Sequence, residues 1–127
     1  MNLEKVVFGF FVLLAATLNF GFFVGDISDP RVHNVYELFA AVVVNLVAMV
    51  LKFGDRTQIG AVQLATSLVA NLQLIAAAAV WAWATNVADG LTHESTASVV
   101  SLSAGALLAN LVSVILLVVE TISYQRR

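Results

Sequence analysis

The sequence has no cysteine, one proline and seven glycines. Without cysteine there is no disulfide, no thiolate nucleophile and no cysteine-held metal. So little proline and glycine leaves no room for a long disordered linker. Charge is also scarce. Six basic and eight acidic residues make 11% of 127 positions, against about 25% in a soluble domain. No basic tract exists, which excludes nucleic acid as an expected partner. The formal net charge of −2 adds nothing further. There is no Ser/His/Asp constellation, HExxH motif or glycine-rich phosphate loop, so no enzyme and no cofactor is expected. An arginine ladder of the voltage-sensor kind and a TVGYG-like potassium filter are missing too.

What the chain has in excess is apolar surface, at 61% of residues against roughly 45–50% in typical proteins. A soluble domain could not hide that much from water, whereas lipid lets the outward faces stay apolar. Four apolar segments stand out, at about residues 4–24, 34–53, 58–85 and 95–124. Each reaches the roughly 20 residues that cross a ~30 Å hydrocarbon core. The third and fourth are longer and should tilt or project. Lys5, the run after it and Ala15-Ala16 loosely resemble a signal peptide, but the apolar run continues to Val24. An uncleaved first span is therefore expected. The fold class is all-α: one domain over 1–127, with four antiparallel transmembrane helices.

The breaks carry turn chemistry. Gly25-Asp26 and Asp29-Pro30 end the first span. Gly54 suits a helix C′ position, and Asp55 with Gln58 resembles a capping box for the third. That very short connection makes the second and third spans a hairpin. Asp89-Gly90 breaks the chain again, and Thr92 or Ser95 caps the fourth span, with Glu94 near its positive end. Lys5, Lys52, Arg56, Arg126 and Arg127 fall on one side, and Arg31 alone on the other. This asymmetry puts both termini in the cytoplasm. Trp81, Trp83 and Tyr36 then belong to the outer aromatic belt, and Tyr124 to the inner one.

Each span carries one asparagine: Asn19, Asn45, Asn71 and Asn110. The last three fall near the bilayer midplane, and Asn19 nearer the outer side. An amide is costly in hydrocarbon without a partner, so each should face another helix or water. Their neighbours form stripes at three- and four-residue spacing. Glu37, Ala41, Asn45, Ala48 and Lys52 share one face. Gln63, Ser67, Asn71 and Ala78 share another. Thr96, Ser103, Ala106, Asn110 and Ser113 form a third, with Glu120 towards its cytoplasmic end. Small and polar residues on one face are the usual chemistry of helix contact in membranes. A short echo between Ala41–Ala48 (AVVVNLVA) and Ala106–Ser113 (ALLANLVS) leaves a parallel two-plus-two repeat open.

The amides have two readings: interhelical hydrogen bonds, or the lining of a solute path. Lys52 and Glu120, near the cytoplasmic ends of spans 2 and 4, are placed to pair, and neither sits where a proton relay would. Glu37 can cap its helix or pair with Arg31. Asp26, Asp29, Glu37, Asp89 and Glu94 give an acidic outer rim, which in an assembly would concentrate cations; the plainer reading is solvated loops. His33 and His93, in separate outer loops, read as unrelated surface residues, and no metal site is expected.

At Asn34–Ala41 (NVYELFAA) and Leu51–Gly60 (LKFGDRTQIG) the chain resembles a family of small four-helix inner-membrane proteins of Gram-negative bacteria. The resemblance spans nearly the whole chain. It implies a bacterial inner membrane and carries no chemistry with it.

Two classes of function remain open. One is an oligomeric, transport-related component whose protomers surround a cation path lined by Asn45, Asn71 and Asn110. The other is a non-conducting accessory or scaffold subunit that binds a larger membrane transporter or its own copies. Small size and missing selectivity motifs favour the accessory role, stacked amides and the acidic rim favour a path, and a transport-related role covers either case. Small-residue faces on several helices point to a homo-oligomer, with the lipid bilayer as the common partner.

Overall fold

The computed structural model describes residues 3–24, 33–53, 57–88 and 90–125, with the side chains of Tyr124 and Gln125 excluded. Four helices make up the fold: α1 (Leu3–Phe23), α2 (Val35–Lys52), α3 (Gln58–Asn86) and α4 (His93–Gln125). Their ends fall within a residue or two of the boundaries that the apolar runs set. At ~1.5 Å per residue, α3 and α4, with 29 and 33 residues, exceed a ~30 Å core. All four are long and apolar enough to cross a membrane.

Side-chain caps define the starts. Asn34 opens α2, its side chain accepting from the Tyr36 N–H at 2.9 Å. The cap of α3 is Thr57, whose hydroxyl accepts from the Gly60 N–H at 3.0 Å. This corrects the expected Asp55–Gln58 box; Asp55 itself lies outside the described residues, as does Gly54. Thr92 and Ser95 cap α4 together: the Thr92 hydroxyl accepts from the Ser95 N–H at 3.0 Å, and the Ser95 hydroxyl accepts from the Thr92 N–H at 2.8 Å. That reciprocal pair is a capping box with serine at its third position. At the end of α3, Gly90 has φ +113° and its N–H returns to the Ala84 carbonyl at 2.9 Å. A residue with a side chain rarely adopts that φ, so glycine is needed there.

The helices pack as a ring in chain order, α1 on α2, α2 on α3, α3 on α4 and α4 back on α1, with α3–α4 the most extensive pair. Helices α1 and α3 are therefore diagonal, as are α2 and α4. One end of the bundle holds the starts of α1 and α3 and the ends of α2 and α4; it is called the terminal end below. The opposite end is the loop end.

The interior is built from small residues. Nine of the sixteen buried apolar residues are alanine, among them Ala41, Ala70, Ala77 and Ala106. Lipid tails are as apolar as the side chains, so no hydrophobic drive acts between membrane helices; they associate by close van der Waals packing, which small side chains permit. Larger groups fill two places. Phe22, Leu38, Leu74, Val99 and Val100 pack towards the loop end. Phe8 and Val12 pack on Ala48 towards the terminal end. Phe10, Leu13, Val43, Leu72, Leu108 and Ile115 point outwards and are exposed. That arrangement is costly in water and free in lipid.

Candidate functional site: a polar seam inside the bundle

At the terminal end, Lys5 of α1 and Glu120 of α4 form an ion pair at 2.5 Å. Glu120 was expected to meet Lys52, but α2 and α4 are diagonal in the ring, and α1 lies beside both. Lys52 instead is 6% exposed, with its ammonium 4.3 Å from the centre of the Phe8 ring on α1. This is a cation–π contact.

One layer deeper, Gln63 of α3 donates from Nε2 to the Ser113 carbonyl of α4 at 3.1 Å. The hydroxyls of Thr66 and Ser113 are 2.6 Å apart, and Thr66 also donates to the Gln63 carbonyl. The middle layer holds the amides. Asn71 donates from Nδ2 to the Asn45 carbonyl of α2 at 3.1 Å and to the Ser67 carbonyl of its own helix at 2.8 Å. Asn45 donates to the Ala41 carbonyl at 2.9 Å. Asn110 of α4 is buried as well.

Towards the loop end, the Asn19 amide of α1 is hydrogen-bonded to the Ser103 hydroxyl of α4. Gln73 of α3 lays its amide against the backbone of α4 at Gly105, where an added Cβ would come within 2.6 Å of it. Thr96 is fully buried nearby on α4. The Glu37 carboxylate of α2 covers Gly21 of α1 in the same way. His33 is buried too, contrary to its reading as a surface residue: its Nδ1 bonds the Phe22 carbonyl at 2.5 Å, and its ring lies against Phe22.

The expected stripes thus face inwards. Ala41, Asn45, Ala48, Lys52, Gln63, Ser67, Asn71, Thr96, Ser103, Ala106, Asn110 and Ser113 are all buried. Glu37, Ala78 and Glu120 are half-buried at the margins. Asn45, Asn71 and Asn110 are 2–3% exposed, turned into the bundle and away from its outer surface.

The acidic rim fares differently. Asp26, Asp29 and Asp89 lie outside the described residues, as do Arg31, Arg56, Arg126 and Arg127. Of the rest, Glu37 is turned onto α1 and Glu94 is exposed on the first turn of α4. Of the tryptophans, Trp83 faces out at 58% exposure, whereas Trp81 packs edge-on to Phe22 at 5.9 Å.

Among the described residues, five buried polar atoms have no hydrogen-bond partner: Gln63 Oε1, Asn71 Oδ1, Gln73 Oε1, Thr96 Oγ1 and Asn110 Nδ2. Each such group costs about 1–3 kcal/mol on protein scales and more in hydrocarbon. Three are amide oxygens on α3. Between the terminal-end charges and Glu37, the buried polar groups described are amides and hydroxyls, apart from His33 at the far margin. Neutral oxygens of this kind can solvate water or a cation without fixing a charge.

A ring of four apolar helices around a buried polar seam defines a multi-pass α-helical membrane protein. The chain belongs to a family of unknown function, DUF6394, whose model matches residues 32–121. That stretch takes in α2, α3 and most of α4, and with them every seam residue except those on α1. No curated protein and no solved structure matches the chain.

Proposed function

We propose that the chain is a transport-related component of a bacterial inner membrane, in which the seam within each bundle, and not an axis between bundles, offers a path to a small cation and its water. The observation that carries this reading is the set of unpartnered amide oxygens, Gln63 Oε1, Asn71 Oδ1 and Gln73 Oε1, along the inner side of α3. Oxygens left without donors inside a hydrocarbon environment favour a polar occupant. The five basic residues on the side of Lys5 and Lys52 support a cytoplasmic location for both termini. Copies of the chain would meet through their outward apolar faces, which a detergent-corrected mass measurement tests directly.

Ion flux into liposomes containing the purified protein tests the path. Flux in the wild type that Asn71→Leu and Asn110→Leu both abolish, with helicity intact, is the expected result. The absence of flux for every alkali cation and for protons sinks the reading.

One observation favours a second reading. Asn71 donates to the Asn45 backbone carbonyl on the neighbouring helix, which is how amides hold helices together. On that reading the protein is a non-conducting accessory subunit that binds a larger membrane transporter, and the flux assay separates the two.

A further inference from the structure

A groove of ≈ 560 Å³ opens at the loop end between the last turns of α3 and the first turns of α4. Its α3 side is apolar apart from the Trp83 indole, with Val80 nearest the middle of the helix; the stretch that opens α4 adds apolar Leu91 beside polar Thr92, Glu94 and Ser98. Trp83 is 58% exposed, so its indole is free to take a contact. Glu94 is exposed and is the one charged group among the described lining residues, which include neither Lys nor Arg. Among its described lining residues, the groove thus offers an electron-rich ring and a carboxylate, and no basic side chain.

We propose that this groove seats the ammonium headgroup of a zwitterionic phospholipid. The charge pattern selects the ligand's sign. An ammonium gains from a carboxylate and from the face of an indole within about 6 Å. Both zwitterionic and anionic phospholipids carry the phosphate, so what Glu94 discriminates is the ammonium, which a glycerol headgroup lacks. The position selects a lipid over a free amine. Trp83 lies within the last turn of a spanning helix, at the depth where indoles meet headgroups, and the Val80–Ala84 wall continues towards the hydrocarbon, where a glycerol backbone and acyl chains would lie. The proposal is independent of conduction through the seam.

Native mass spectrometry of the whole protein, released from nanodiscs of equal parts phosphatidylethanolamine and phosphatidylglycerol, tests it. Phosphatidylethanolamine should be enriched on the protein. An exposed cation–π contact worth about 0.5–1 kcal/mol corresponds to a loss of roughly two- to fivefold in retained lipid for Trp83→Leu. Trp83→Phe should keep most of the enrichment. Glu94→Gln should remove the preference for the aminolipid, while Leu72→Ala, on the outward face of α3, should leave it unchanged. Equal retention of both lipids by the wild type overturns the proposal. So does an unchanged preference in Glu94→Gln, or displacement of the lipid by soluble phosphoethanolamine at equal concentration. Unaltered circular dichroism in each variant excludes misfolding as the cause of a loss.

Discussion

The Asn71 side chain donates to the backbone carbonyl of Asn45, 3.1 Å away on the neighbouring helix. The two residues look like a matched amide pair in the sequence, but the acceptor is main chain. The Asn45 side chain is turned back to Ala41 on its own helix. This separates what each amide contributes. Asn71→Ala should destabilise the bundle by about 0.6–2 kcal/mol, the range for interhelical hydrogen bonds in membranes. Its cost should persist in an Asn45→Ala background, with coupling below about 0.5 kcal/mol. Unfolding in mixed micelles gives all four values. Strong coupling would show that the side chains bond each other.

Ser103→Ala removes the hydroxyl that meets Asn19 and leaves a fully buried amide behind. A loss of about 1–3 kcal/mol is expected. Asn19→Leu combined with Ser103→Ala should recover part of it, because both polar partners are then gone. A double variant less stable than Ser103→Ala alone would argue against the pairing.

Gly105 leaves room for the Gln73 amide. A methyl group there forces that amide to move, and its oxygen already lacks a partner. Gly105→Ala should therefore lower stability by about 1–3 kcal/mol, as overpacking does, and Gln73→Ala should relieve most of that cost. The double-mutant cycle decides it: additive losses would mean that the two groups do not touch.

The terminal-end charges permit a sharper comparison. Lys5 and Glu120 are paired but 39% and 20% exposed, so their coupling should be modest, about 0.2–1 kcal/mol. The cycle between Lys52 and Glu120 should give none. Lys52→Ala should still cost stability of its own, because it removes the cation from the Phe8 ring and its packed methylenes from the interior. Coupling between Lys52 and Glu120 would put α2 beside α4 and overturn the ring order.

Much of this was legible in the sequence, for identifiable reasons. Helix extents follow from runs of apolar residues bounded by Asn34, Thr57 and Gly90. The inward faces follow from helical spacing: Asn45, Asn71 and Asn110 each sit among Ala and Ser one turn away. Periodicity gives a face without naming what that face meets. Which helices are neighbours depends on ring order, so Glu120 was matched to Lys52 on the diagonal helix and not to Lys5. The inward turn of the amides left no evidence in any one stripe that a single bundle would absorb them all. Gln73 was missed because its amide packs over Gly105, where the room comes from a missing side chain that no polar pattern marks. His33, in the turn before α2, was missed because its partner is a carbonyl eleven residues away on α1.

The ring closes only when α4 meets α1, and its closing contacts have the longest reach in the chain; Asn19 and Ser103 are 84 residues apart. During synthesis α1 enters the bilayer long before α4 exists. Through that interval Asn19 has no Ser103 and Lys5 has no Glu120. The nascent chain therefore presents an uncapped polar flank at α1, with α2 as its first shelter. A stall or truncation before α4 would leave that flank open to quality-control proteases and to other chains at the insertion site. Biogenesis should thus be most vulnerable just before the last helix emerges, although α3 and α4 form the most extensive contact of the finished fold.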